Sequence, residues 1–260
     1  GSEMCIRDRS RERQMELKIL GSSSKGNCYL LDNGKEALMI ECGIAFKNVQ
    51  KAVDFDITRI KACIISHEHG DHAKHVKRCL DAMIPCYMSD GTRNALGLAS
   101  HPLAHAMTEN VLHKIGNFGV LPFDTEHDAA QPFGYLIAHP ECGTVLFATD
   151  TYYLQYTFDG LNNILIECNY RQDILDANVE AGLIPAKLRA RTMKSHCSFE
   201  TCKEILQAND LSEVHNIVLI HLSDGNSNAV EFQQGIADLT HKVVTVARSG
   251  MTINFNKSPF

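Results

Sequence analysis

Ser66-His67-Glu68-His69-Gly70-Asp71-His72 follows a largely apolar run, residues 60–65, that reads as a buried strand. His67, His69 and His72 with Asp71 crowd three imidazoles and a carboxylate into the mouth of that strand. Neutral imidazole and carboxylate are ligands for zinc and similar divalent ions. Side chains one residue apart in an extended segment point the same way, so His67 and His69 can grip one ion. Gly70 lets the chain turn, and Asp71 and His72 then face a neighbouring position. A lone histidine is common, but this spacing directly after a strand is not.

Outward from this loop, short apolar strands recur at 17–20, 28–31, 37–40, 85–88, 119–123, 134–138, 144–148, 163–168, 216–222, 242–246 and 251–255. Helical spacing falls between some of them, near 45–53, 72–82, 91–99, 173–182, 199–208 and 227–238. Strands interspersed with helices, without βαβ regularity, suit two packed sheets with helices outside. The 260 residues are 44% hydrophobic, enough for one large domain. Residues 1–14 are charged, carry no apolar period and lack the apolar stretch of a secretory signal. We expect a disordered tag or extension over 1–14 and one domain over 15–260. No stretch approaches 18 uninterrupted apolar residues, so a spanning helix and a membrane partner are excluded. Ten cysteines without a CxxC pair suggest buried, reduced thiols in a cytoplasmic protein. With a net charge of −6 the chain should not coat itself on nucleic acid, and local cations must attract any polyanion.

The HxHxDH loop resembles the signature of the metallo-β-lactamase superfamily. That resemblance implies an α+β fold, the four-layer αββα sandwich of two mixed β-sheets flanked by helices. It also implies further ligands just beyond later strands: His127 in Asp124-Thr125-Glu126-His127-Asp128, Asp150 after Thr144-Val145-Leu146-Phe147-Ala148-Thr149, and His221 after Ile217-Val218-Leu219-Ile220. The implied assignment is His67, His69 and His127 on one metal, Asp71, His72 and His221 on a second, with Asp150 bridging. No cysteine stands at the bridging position, which argues against the penicillin-hydrolysing branch.

Further segments resemble the compact bacterial and phage exonucleases of the YycJ/WalJ type. They are Leu20-Gly21-Ser22-Ser23-Ser24-Lys25-Gly26-Asn27-Cys28, His127-Asp128-Ala129-Ala130-Gln131-Pro132-Phe133-Gly134-Tyr135, Ala148-Thr149-Asp150-Thr151, Ile166-Glu167-Cys168-Asn169-Tyr170, Ser195-His196-Cys197-Ser198 and His221-Leu222-Ser223 with Asn226. The chain departs from the pattern at Glu41, where an aspartate usually braces the ligand loop, and at Cys197 and Tyr170. None of these departures removes a ligand.

The branch implies a dinuclear metal-dependent phosphodiesterase, a 5′→3′ single-stranded DNA exonuclease. A metal-bound hydroxide would attack the scissile phosphate, with Asp71 ligating and orienting the attacking water and His196 as candidate general acid. Imidazole-rich ligation favours two Zn2+, with Mn2+ the alternative. Lys187, Arg189, Arg191 and Lys194 form a basic cluster whose alternate spacing would line one face of an extended segment, suited to tracking a phosphate backbone. A solvated charge run explains that cluster equally well. Tyr152, Tyr153 and Tyr156 could stack bases, or simply pack. Two competing readings use the same residues: a cyclic-nucleotide phosphodiesterase and a non-catalytic nucleic-acid-binding module.

Overall fold

Runs such as Cys-Tyr-Leu-Leu and Asn-Asn-Ile-Leu-Ile carry no polar alternation because both faces of their strands are covered. In the computed structural model, which describes residues 14–258, they form the middle of two mixed sheets. The first half of the chain gives β1 (Glu16–Gly21), β2 (Cys28–Asp32), β3 (Ala37–Ile40), β4 (Ile60–Ile64), β5 (Cys86–Ser89) and β6 (Ala104–Met107). The second half gives β7 (His113–Ile115), β8 (Phe118–Asp124), β9 (Phe133–His139), β10 (Gly143–Ala148), β11 (Leu161–Glu167), β12 (Asn216–Ile220) and β13 (Val243–Val246). The last strand, β14 (Met251–Asn254), returns to pair antiparallel with β1. The sheet orders are β14-β1-β2-β3-β4-β5-β6 and β13-β12-β11-β10-β9-β8-β7. In each sheet the strands run antiparallel first and parallel afterwards.

Leu17, Ile19, Tyr29 and Leu31 from one sheet meet Phe118, Tyr135 and Phe147 from the other in a fully buried middle layer. Outside the first sheet, α1 (Phe46–Ala52), the single turn α2 (Gly70–Ala73) and α3 (Val76–Asp81) close a second core; α4 (Asp90–Ala95) lies against β5 and β6. In the second half α5 (Gln172–Glu180) and α6 (Ala186–Ser195) pack on each other, while α7 (Phe199–Ala208) and α8 (Ala229–Thr240) lie outside the second sheet. This is the four-layer αββα sandwich expected from the sequence. Chain ends of the parallel strands β4, β10, β11 and β12 lie at one rim, where open α/β sheets place their ligands.

The structure differs from the expectations in three places. The helical stretch near 72–82 is broken into α2 and α3 at Lys74–His75, where α3 takes His75 as its N-cap. Two short strands, β6 and β7, lie at the sheet edges, half-exposed, without the apolar signature of the inner strands. Most consequentially, residues 186–195 form helix α6 rather than an extended segment. Ala, Lys, Leu, Arg and Met are all good helix formers, and the charge pattern had masked that preference. The extension expected over 1–14 falls almost wholly outside the described residues. Among the described residues no helix is long and apolar enough to cross a membrane.

Candidate metal centre

Beyond β4 the backbone stays extended through Ile65, whose N–H donates to the Tyr87 carbonyl. The Ser66 N–H then donates to Glu41 Oε1 at 3.0 Å, and Ser66 Oγ holds His67 Nδ1 at 2.8 Å. That contact leaves His67 Nε2 to face His69 Nδ1 at 3.0 Å. Gly70 starts α2, whose one turn carries Asp71 and His72 round to a second position. Two outside donors pin the turn: the Asn27 N–H to the Asp71 carbonyl and the Cys42 N–H to the His72 carbonyl, each at 2.7 Å. Gly43 must be glycine, because a Cβ there would lie 1.7 Å from the Asp71 carbonyl oxygen. Glu41, one methylene longer than the aspartate expected at its place, still reaches both jobs; its Oε2 lies 3.5 Å from His72 Nδ1.

The second sheet brings in three more side chains from separate strand ends. His127 follows β8 and donates from Nδ1 to the Ser195 carbonyl at 2.6 Å, so its Nε2 meets His69 Nδ1 at 3.1 Å. Asp150 follows β10 and His221 follows β12, both with left-handed backbones (φ 45° and 53°). Such conformations are uncommon outside glycine and mark places where surrounding structure over-determines the chain. The His221 N–H is held by Ser22 Oγ at 3.0 Å, which ties the Gly/Ser-rich first turn to the site.

Two of the resulting groups of donor atoms match the expected ligand sets. His67, His69, His127 and Asp150 form one; Asp71, His72, Asp150 and His221 form the other; within each, the atoms all lie within 4.8 Å of one another. Asp150 is common to both. Its Oδ2 lies 3.5 Å from His127 Nε2 and 3.3 Å from His72 Nε2, and its Oδ1 3.0 Å from His221 Nδ1. A divalent ion fits this set. His69 Nδ1 faces two other imidazole nitrogens, and three ring nitrogens cannot satisfy one another with protons as a shared cation satisfies their lone pairs. Burial, and then the charge of neighbouring His72, holds His67 well below the usual histidine range, so it offers a free lone pair. Burial alone would push Asp150 upward; the charges of His221 and His72 outweigh it, and Asp150 stays an anion.

Glu167, at the end of β11, is the residue that sequence reasoning quoted but gave no role. It is fully buried and accepts from Thr151 N–H, Cys197 N–H, His196 Nδ1 at 2.7 Å and His221 Nδ1 at 3.0 Å. Its place within a strand-end run like those of Asp150 and His221 was the available signal. Burial acts downward on His196, but the Glu167 charge and hydrogen bond win and raise its pKa above the ordinary value. Among the described residues no hydrogen bond engages His196 Nε2.

A cleft of about 440 Å³ opens over these groups, with His69, Asp71 and His196 on its floor and Leu188, Arg191 and Ser195 of α6 on its wall. Because the basic cluster is helical, its four members diverge. Arg191 lines the cleft and pairs with Asp128 at 2.9 Å, while Arg189 is turned away onto Asp176. Lys187 and Lys194 are not part of the cleft wall. Tyr156 packs on Phe123 and Phe158 and donates to Glu109, whereas Tyr152 and Tyr153 are exposed outside the cleft. All nine described cysteines are buried and free, as the composition implied.

The profile of the Metallo-beta-lactamase superfamily matches residues 23–78, the segment that carries the HxHxDH loop. The chain is 26% identical over 226 residues to "Exodeoxyribonuclease WalJ" of Streptococcus pneumoniae serotype 2 (strain D39 / NCTC 7466), covering 80% of this chain and 82% of that one. Among solved structures it is similar to the metallo-beta-lactamase fold protein YhfI from Bacillus subtilis, with a TM-score of 0.71 at 16% identity over 92% of this chain and 99% of that one. Human tRNase Z, short form, gives a TM-score of 0.62 at 17% identity over 93% and 99%.

Proposed function

We propose that the chain, similar to the metallo-β-lactamase superfamily over its ligand loop, is a metal-dependent hydrolase that cleaves phosphodiester bonds of single-stranded DNA stepwise from the 5′ end. The observation that carries this reading is the pair of donor groups sharing Asp150 beneath a cleft, with His196 held at its floor by Glu167. His67, His69, His127 and Asp150 would hold one divalent ion, and Asp71, His72, Asp150 and His221 a second. The imidazole-rich set favours Zn2+, with Mn2+ as the alternative. When bound, such a pair acidifies water towards neutrality and neutralises charge growing on phosphoryl oxygens.

The chain's own side chains do the rest. Asp71 presents a carboxylate to the cleft that can orient a water and accept its proton; its anionic form is secured by His221 and His72, which outweigh burial. His196 is fixed through Nδ1 by Glu167, so Nε2 is the atom left to hand a proton to the departing sugar oxygen. Arg191, on the wall, meets the phosphate one nucleotide away and gives direction to a backbone lying along α6. Support for the polymer comes from the similarity to an exodeoxyribonuclease, and support for the chemistry from the donor set.

The test incubates the protein with Mn2+ or Zn2+ and 5′-labelled single-stranded DNA, and in parallel with cyclic mononucleotides, against an Asp71→Ala variant. Stepwise release of labelled mononucleotide, lost in the variant, is the expected result. Linear nucleotide formed only from the cyclic compounds would transfer the assignment to a cyclic-nucleotide phosphodiesterase.

A further inference from the structure

Behind the ligand loop, on the outer face of the first sheet, four cysteines from different segments meet. Cys42 lies just past β3, Cys63 in β4, Cys79 on α3 and Cys86 in β5, all with 0% exposure. The sulfurs of Cys42, Cys63 and Cys79 all lie within 4.8 Å of one another. Cys86 is the cross-strand partner of Cys63. No imidazole or carboxylate belongs to the group. A donor set of sulfur alone is soft and selects thiophilic d10 ions over the oxygen- and nitrogen-seeking divalent ions of the cleft.

We propose that Cys42, Cys63 and Cys79 form a second, structural metal site for a thiophilic d10 cation, with Cys86 beside them as fourth donor. Three sulfurs in mutual reach suit trigonal Cu+, and recruitment of Cys86 completes the tetrahedron that Zn2+ demands. Each sulfur–metal bond replaces an S–H bond, whose proton leaves to solvent. The ion pins the catalytic loop from behind: the Cys42 N–H donates to the His72 carbonyl, and the Cys42 carbonyl accepts from the His75 N–H at 3.0 Å. The group has no solvent exposure, so loading accompanies folding and chelators remove the ion only from unfolded chain.

The experiment unfolds the full chain under reducing, anaerobic conditions and refolds it with Cu+ in one arm and Zn2+ in the other. X-ray absorption at each metal edge, scaled by metal content, then counts sulfur neighbours per chain, separately from the nitrogen and oxygen neighbours of ions in the cleft and independently of nuclease activity. The expected result is one sulfur-bound ion per chain, with three sulfur neighbours for Cu+ or four for Zn2+, resistant to chelator until denaturant is added. Cys79→Ser loses that ion, whereas Cys202→Ser, in the separate thiol group with Cys168 and Cys197, keeps it. Should Cys79→Ser fail to fold, the sulfur shell of the wild-type protein, read against Cys202→Ser, still decides. The absence of sulfur neighbours in both arms overturns the proposal, as does a sulfur shell that disappears with Cys202→Ser.

Discussion

The two halves of the sandwich share one strand plan but build the site by opposite means. The first sheet delivers four donors from a single seven-residue loop, stiffened by hydrogen bonds from the Asn27 and Cys42 N–H groups and to the Glu41 carboxylate. The second delivers His127, Asp150 and His221 from three strand ends, two of them on left-handed backbone, and knits them through Glu167. A contiguous loop can lose one donor and keep the rest in place. A distributed set concentrates its dependence on whichever residue the others share. Asp150 is that residue, since it belongs to both donor groups.

Breaking the comparison therefore begins with Asp150→Ala. It should lower activity by more than the roughly 10–100-fold that loss of a supporting partner costs, and bring the metal held by the imidazole and carboxylate donors below one ion per chain. His69→Ala removes a donor from only one group, so the Asp71, His72, Asp150 and His221 set should still retain an ion. Elemental analysis of both variants after dialysis against chelator measures the difference; equal metal loss in the two would erase the asymmetry claimed between the halves.

Glu167→Gln comes next. The variant keeps volume and can still accept a backbone N–H, but it removes the anion that faces His196 Nδ1 and His221 Nδ1. The expectation is a kcat about 10–100-fold lower with KM and metal content near wild type. A fall in metal content of the same size would make Glu167 a support of the metal rather than of His196.

This asymmetry also governs how much could be read in the chain. The first half was legible because its chemistry is local: His67 to His72 are neighbours in sequence, and one strand and one glycine explain their geometry. The inner strands were legible for the same reason, since burial on both faces leaves unbroken apolar runs. His127, Asp150 and His221 each stand as one polar residue after an apolar run, a weak pattern that only the resemblance singled out. Glu167 has the same pattern, and its four-fold hydrogen bonding exists only in three dimensions. Residues 186–195 were misread because charge spacing was weighed above helix propensity; the helix that results keeps Arg191 at the cleft and sends Arg189 to Asp176. The thiol group is invisible as a pattern, because strand pairing and α3 bring together residues up to 44 positions apart, Cys42 to Cys86.

Gly43→Ala probes the stiffness of the loop itself. A methyl group 1.7 Å from the Asp71 carbonyl forces a backbone shift, with a destabilisation of roughly 1–3 kcal/mol by analogy with overpacked cores. Thermal unfolding should show it, together with weaker retention of the ion that Asp71 would hold. Arg191→Ala is milder. The side chain is exposed and its pair with Asp128 is a surface one, worth about 0–1 kcal/mol, so folding should be unaffected. Its loss should raise KM for single-stranded DNA and lower the salt dependence of binding by about 0.7 in log–log slope, the share of one phosphate contact on a single strand. An unchanged salt slope would remove Arg191 from the substrate path.

The smallest effect belongs to the rim opposite the metal centre, where the sheets are tied without any metal. Glu36 precedes β3, at the far end from the ligand loop, and accepts from the Asn117 N–H at 3.1 Å, the Asn117 side chain and His139 Nε2 at 3.2 Å. Burial pushes its carboxyl upward, but these bonds outweigh it and hold it below the ordinary value of 4.5. A carboxyl with a lowered folded pKa contributes stability that is present above 4.5 and disappears as pH falls through the folded value. Glu36→Gln should accordingly melt below wild type at neutral pH, and the gap should close on acidification below 4.5. Melting curves of the two proteins across that range supply the check; a gap that stays constant with pH would mean that shape, rather than charge, holds this end of the sandwich together.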